Sequence, residues 1–531
     1  MTGLSLVHAG RPARGMTARG YGAWLGVLGL LLVWEALAHV VSGAFVLAAP
    51  TEILAYLVED RGLVTRALGV TLGNAALGYV FGNLAAIALA ALALLWPRSE
   101  RIVTGLALLV YCLPLVATGP ILRVLFGPGA GPQITLAALA VYYTTLIPLL
   151  VGLRAAPAGW FDLVRSYGRG RWSELVHVRL MASLPYLFAG LQIAAPAAFL
   201  GAMVGEFTGA ERGLGVLTVR AIRALDVDMT WGVATVATAV AILAYVGLGM
   251  IARRFLRDAP PVILAAPASD TVRDSGSGWK AAIGVTVIAL AGWALAFWVF
   301  DLNPFFAKGP MDVLDALLLA EDAGATRGTL AVALSETAVY LLPGYFAGLA
   351  AGAGLAMLLV LVPVIAGTAM PLAIALRSVP IVTTAPLVVL LLGRGATGTI
   401  VLVAVMVFFP TFVACLHGLR QAPGQVLDVF DSFAAGPVSR LVRVRIPAML
   451  PAFFAAARMA VPASVLAVTV VEWLATGAGI GSLMAMSASL SDFDMLWSSV
   501  VLVAAISALG YALVGSVERR ILRVYAPEQL T

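Results

Sequence analysis

Twelve apolar runs, each long enough to cross a bilayer, constrain this chain before anything else does. They lie at roughly 24–46, 67–95, 102–126, 133–153, 184–207 and 230–252, and again at roughly 281–302, 332–361, 366–392, 399–419, 450–473 and 496–517. In lipid every backbone N–H and C=O must be satisfied within the structure, which leaves only helices or closed barrels. Uninterrupted runs of about 20 residues suit helices, whereas barrel strands alternate over about 10. The fold class is therefore read as an all-α polytopic membrane protein with about 12 transmembrane helices. Hydrophobic residues at 61% and charged residues at 11% agree, since soluble domains carry roughly 25% charge. The run from Trp24 to Val46 follows Arg11, Arg14 and Arg19, as a secretory signal core would. At about 22 residues it exceeds the 7–15 of a signal core and is read as an uncleaved first helix.

The second six runs repeat the first six. The stretch Gly152 to Gly190, with its polar, arginine-rich centre, returns without a gap from Gly418 to Ala456, displaced by 266 residues. The same displacement takes Thr71, Gly78 and Gly82 to Thr337, Gly344 and Gly348, and Pro114, Thr118 and Pro120 to Pro380, Thr384 and Pro386. It also takes Glu206 to Glu472 and Trp231 to Trp497. Because six crossings return the chain to its starting side, the two copies point the same way, as two parallel six-helix repeats.

Arginine placement sets the sides. With a cytoplasmic N-terminus, 22 Lys and Arg residues fall on the cytoplasmic side and 7 on the outer side, with Arg123, Arg377, Arg394 and Arg458 within or at the ends of helices. The positive-inside rule then makes both arginine-rich loops and both termini cytoplasmic. The organisation read from this is a cytoplasmic tail over 1–23, a first six-helix domain over 24–254 with a loop at about 154–183, a linker over 255–280, a second domain over 281–523 with a loop at about 420–449, and a tail over 524–531. The linker, rich in Pro, Ala, Ser and Gly, reads as flexible, or else as an extra amphipathic element.

Several functions are excluded by what is missing. No GxxxxGK[ST] phosphate loop occurs, and the only lysines are Lys280 and Lys308. His8, His39, His177 and His417 are scattered, and Cys112 and Cys415 lie inside apolar runs, so neither a metal set nor a catalytic triad is suggested. The net charge of +6 marks a membrane side and not a nucleic-acid surface. The chain is read as carrying no enzyme site, no metal and no cofactor of its own.

The duplicated loop has a spacing seen elsewhere. It resembles the EAA loop of binding-protein-dependent ABC importer permeases, roughly E-A-A, three residues, G, nine residues, I-x-L-P. The first copy supplies Asp162, Gly168, Val178 and Leu180, and the second Asp428, Ala434, Val444, Ile446 and Pro447. Aspartate replaces glutamate in both, Met181 stands for the proline in the first and Ala434 for the glycine in the second. Trp34-Glu35, LRSVP at 376–380, FFP at 408–410, and GLG or GIG turns at 213–215 and 479–481 are similar to the nitrate, sulfonate, taurine and bicarbonate branch.

The resemblance implies a type I ABC importer permease fold in a bacterial plasma membrane. Two ABC ATPase subunits on the cytoplasmic side would bind ATP and magnesium, and an external substrate-binding protein would deliver the solute. It also implies that Asp162, Ser166, Tyr167, Gly168 and Arg169, with Asp428, Ser432, Phe433, Ala434 and Ala435, touch the ATPases. Read from the residues alone, Asp162 with the arginines that follow suggests a short helix with an acidic start, left through a turn at Gly168 or Gly170.

Polar residues within the runs have two readings each. Arg377, costly in lipid, either attracts an anionic solute, or braces the helix break before Pro380 or lies near an interface. Thr118 and Thr384 either line a path between the halves or bond back to their own helices. Glu206 and Glu472 either help form an external gate or receptor contact, or are simply solvated at helix ends. Gly78, Gly82, Gly344, Gly348 and Gly352 form small-xxx-small rows suited to close helix packing. The alternatives to an anion importer are an ion-coupled secondary transporter of twelve helices, which leaves the duplicated loops unexplained, and the same importer type carrying a vitamin precursor.

Overall fold

The structure, a computed structural model, describes residues 28–29, 31–40, 47–127, 129–256, 278–362, 388, 392–393 and 395–525. Arg377, Thr384, most of the linker and most of the run at 366–392 lie outside the described residues.

The first half runs through α1 (Leu31–Val40), α2 (Pro50–Glu59), α3 (Arg61–Leu95), α4 (Glu100–Tyr111), α5 (Leu115–Phe126), α6 (Gly131–Arg154), α7 (Ala158–Ser166), α8 (Arg171–Phe207), α9 (Leu214–Ala224) and α10 (Val227–Phe255). The second half runs through α11 (Gly278–Phe300), α12 (Pro310–Leu314), α13 (Ala323–Leu361), α14 (Ala396–Arg420), α15 (Gly424–Ser432), α16 (Pro437–Leu474), α17 (Ile480–Leu490) and α18 (Phe493–Tyr525). Among the described residues nine helices are long and apolar enough to span, and the bent pair α4–α5 would be a tenth.

That bend departs from the single helix expected over 102–126. α4 and α5 meet at 93°, because Pro114 has no N–H to continue the ladder and holds an extended backbone (φ −71, ψ 102) between them. The consequence is topological. Ala117 and Ile121 of α5 join the core formed by Leu330 and Ala333 of α13, Val465 of α16 and Leu496 of α18, so a first-half helix packs inside the second half. A larger apolar cluster is likewise shared, from Ala137 and Phe199 to Leu402, Val403 and Val468.

The small-residue rows do what their spacing predicts. A Cβ at Gly78 would lie 2.3 Å from the Ala137 Cβ, and one at Gly348 would lie 2.6 Å from the Ala404 carbonyl oxygen. α3 on α6 and α13 on α14 therefore approach at backbone distance, which in lipid gains dispersion contact where a hydrophobic driving force is lacking.

Candidate functional site

Each half carries two polar devices at opposite ends of one long helix, α8 in the first half and α16 in the second. At one end is the arginine-rich hairpin, here the hairpin face; at the other is a buried glutamate, here the latch face.

The hairpin helices begin where proline ends the preceding helix. Pro157 and Pro423 hold extended caps (ψ 141 and 123), and α7 and α15 follow as matched nine-residue helices. Asp162 and Asp428 thus sit mid-helix, contrary to the expectation of an acidic start, because proline sets the first turn four residues earlier. Exit is through a left-handed residue, Gly168 (φ +68) or Ala434 (φ +50). Gly168 N–H donates to Arg165 O (2.8 Å) and Arg169 N–H to Val164 O (3.2 Å); Ala434 N–H donates to Asp431 O (3.0 Å) and Ala435 N–H to Phe430 O (2.9 Å). This paired closure is the Schellman pattern, and glycine adopts it without the Cβ conflict that alanine carries. The loss of glycine at 434 is therefore a matter of backbone strain in an unchanged turn.

Ser166 and Ser432 donate to Leu163 O and Val429 O at 2.8 and 2.7 Å, finishing their own helices. Tyr167 and Phe433 project from matched positions, 76% and 81% exposed. Sequence reasoning missed the surface they belong to. Trp160, Leu163 and Trp172 in the first hairpin, and Val426, Val429 and Val438 at the matched positions of the second, are all exposed. Together these side chains give each hairpin an exposed apolar face.

A second missed feature joins each hairpin helix to the long helix after it. Arg165 Nε donates to Glu174 Oε1 at 2.8 Å, and Glu174 holds the Arg165 pKa above its ordinary value, first through that hydrogen bond and then through its charge. In the second half Arg440 pairs with Asp431. Displacement by 266 puts Asp431 in the place of Arg165 and Arg440 in the place of Glu174. The tie is kept and its polarity reversed. Comparing the two copies position by position would have revealed it. Arg179 adds a cation–π contact 5.0 Å from the Phe161 ring, seating the first hairpin on α8.

At the latch face, Glu206 and Glu472 are each 1% exposed. Simple solvation at a helix end is thereby overturned: the carboxylates are enclosed by the turn that follows them. Thr71 Oγ1 donates to Glu206 at 2.8 Å, Gly215 N–H donates to the same carboxylate at 2.7 Å, and Leu214 N–H donates to Thr71 Oγ1 at 2.9 Å. The second half repeats this with Thr337 to Glu472 (3.1 Å), Gly481 N–H to Glu472 (2.8 Å) and Ile480 N–H to Thr337 (2.9 Å). The first-turn N–H groups of α9 and α17, which have no helical acceptor of their own, are thus capped from neighbouring helices. The glycine-rich turns follow from this packing. A Cβ at Gly213 or Gly479 would fall 2.2 Å from the glutamate carboxyl group, and both residues hold positive φ (+137 and +87).

The remaining site expectations divide. Thr118 Oγ1 donates to Leu115 O at 2.9 Å, the local back-bond, and joins neither device. Arg458, within α16, lies 3.0 Å from Glu518 of α18 in a buried ion pair; the matched first-half residues are Gln192 and Ala252. Among the described residues no group of His, Cys, Asp and Glu is arranged to hold a metal.

The chain matches the model of the binding-protein-dependent transport system inner membrane component family twice, over residues 78–259 and 344–523. The chain belongs to this family. The two matches begin 266 residues apart, the same displacement that relates the two halves of the sequence. It is 32% identical over 228 residues to a protein of Haemophilus influenzae named a probable ABC transporter permease protein, which covers 43% of this chain and 93% of that one. It is 26% identical over 198 residues (37% of this chain, 79% of the relative) to the formylaminopyrimidine transport permease protein of Halalkalibacterium halodurans. It is 24% identical over 228 residues (43% and 83%) to the taurine transport system permease protein of Escherichia coli. The protein is thus an ABC importer permease subunit of a multi-pass membrane type, of a family that works with ATPase and binding-protein partners.

Proposed function

We propose that this chain forms the whole membrane-spanning part of an importer, with both permease halves on one polypeptide. Two ATPase subunits dock on the two hairpins, and an external binding protein delivers a small anionic solute of the sulfonate, nitrate or bicarbonate kind. In this reading the hairpin face is cytoplasmic, as the arginine distribution supports, and the latch face is outer. The chain itself binds no ATP or magnesium; the partner subunits supply both.

The observation that carries the reading is that hairpin and latch occupy opposite ends of one helix in each half. α8 has 37 residues, roughly 55 Å at 1.5 Å per residue. Closure of the ATPases on ATP moves the hairpins, and α8 and α16 transmit that movement to the latched helices α9 and α17. Matched prolines inside both levers, Pro185 and Pro196 with Pro451 and Pro462, give each a place to bend without unfolding.

The test is to replace Gly168 and Ala434 together with tryptophan. Bulk at both left-handed exits distorts the docking turn, and ATP-driven uptake in vesicles is expected to fall by about tenfold or more, the kinetic equivalent of 1.4 kcal/mol of lost docking, while the binding protein still docks. Unchanged uptake would reject the hairpins as coupling elements. Failure of the purified chain to retain any ATPase subunit, together with ATP-independent uptake on a proton gradient, would reject the importer in favour of a secondary transporter.

A further inference from the structure

On the latch face of the first half, a cavity of about 370 Å³ opens between α3, α5, α6 and the turn after α8. Its polar lining is Asn74, Arg123, Gln133, Thr208, Glu211 and Arg212. Two arginines against one glutamate leave a net positive charge. None of the ion pairs among the described residues engages Arg123 or Arg212.

Three further observations point to a ligand. Asn74 is only 8% exposed, borders the cavity, and among the described residues its amide has no hydrogen-bond partner, so both its donor and its acceptor are available to a group in the cavity. The first turn of α6 borders the same space through Pro132 and Gln133, and Ala130 gives it no side-chain cap, so the positive end of that helix faces the cavity although Pro132 itself offers no N–H. Gly209 (φ +119) makes the seat for Arg123: a Cβ there would lie 2.2 Å from the guanidinium Nη1.

The duplication supplies an internal control. Displaced by 266, Asn74 becomes Tyr340, Arg123 becomes Val389, Gly205 becomes Val471, Gly209 becomes Ala475 and Arg212 becomes Ala478. The second half keeps the latch, and it keeps Gly127 and Gly129 as Gly393 and Gly395, but at the matched positions it has neither the two arginines nor the amide, nor Gly205 and Gly209; its Arg394 falls instead in the place of Pro128.

We propose that this cavity is a binding site for one small oxyanionic group, held by Arg123 and Arg212, the Asn74 amide and the first turn of α6. The chemistry is shared by a free sulfonate or sulfate and by the phosphate of an outer-leaflet lipid headgroup. The site goes beyond the cargo assigned above, and its test needs neither ATP nor a binding protein, so its failure is separate from failure of that reading.

The full chain in phosphatidylcholine nanodiscs is titrated calorimetrically with methanesulfonate and with sulfate. Saturable binding is expected, weakened by about tenfold or more in Arg123→Gln, as for loss of one charge-assisted hydrogen bond. Arg212→Gln weakens it less, Arg123→Lys restores part, and Arg327→Gln in the second half leaves it unchanged. Discs containing phosphatidylglycerol assign the source: competition that disappears in Arg123→Gln identifies a lipid headgroup, and unchanged affinity identifies a free anion. Thermal unfolding without anion shows that each variant is folded. If neither the free anions nor phosphatidylglycerol bind in an Arg123-dependent way, the proposal is wrong.

Discussion

The two hairpins solve one mechanical problem with different residues. Both need a left-handed exit from a nine-residue helix; the first uses glycine, the second alanine at φ +50. Both tie that helix to the next long one by an ion pair; the first runs arginine to glutamate, the second aspartate to arginine. Both expose an apolar face; the first is built on Trp160 and Trp172, the second on Val426 and Val438. What is held constant is backbone geometry, the turn and the tie that fix the hairpin helix against the long one. What drifts is surface chemistry, which under the proposed function would meet the ATPase subunits.

The latches differ less, and that difference makes the largest predicted effect after the paired tryptophan substitution. In the second half Gly479 N–H also donates to Glu336 Oε2 at 2.8 Å, whereas the matched first-half residue is Val70. Glu206→Ala is therefore expected to destabilise more than Glu472→Ala. Each leaves one buried N–H, that of Gly215 or Gly481, without its acceptor, at about 1–3 kcal/mol, read by thermal unfolding in detergent. Equal losses in the two variants would show that Glu336 carries none of the second latch.

Next in size is the exit turn. Ala434→Gly relieves a left-handed alanine and is expected to stabilise the second hairpin by roughly 1 kcal/mol, seen as slower hydrogen exchange at the Ala435 amide. Gly168→Ala should do the reverse at the Arg169 amide. If neither exchange rate moves, the two exits are equivalent and the contrast drawn between them fails.

The smallest effect tests the reversed ion pair. Arg165→Glu places two acids together and should weaken ATPase retention, while Arg165→Glu with Glu174→Arg, which copies the second-half polarity, should recover it. Exposed pairs are worth about 0.2–1 kcal/mol, so the expected change in affinity is up to about fivefold. A double variant no better than the single one would mean that polarity, and not merely pairing, is read by the partner.

Hydropathy is local and additive, so the apolar runs, their duplication and the place of both hairpins are legible directly in residue order. Pro157 and Pro423 are equally visible there, yet the acidic side chains of Asp162 and Asp428 point to a later helix start than the one these prolines impose. The charge reversal at 165/174 and 431/440 is present in the repeat but has meaning only once those side chains are known to touch.

Residue order alone determined that the chain is helical, membrane-spanning and built twice, because insertion into lipid depends on the summed apolarity of consecutive residues. Only the tertiary structure decided what Glu206 and Glu472 do, that α5 crosses into the other half, and that Arg123 and Asn74 share a cavity. Those facts depend on close approach between segments distant in the chain, as where Gly213 leaves room for a carboxylate brought from another helix, and no local pattern encodes such an approach.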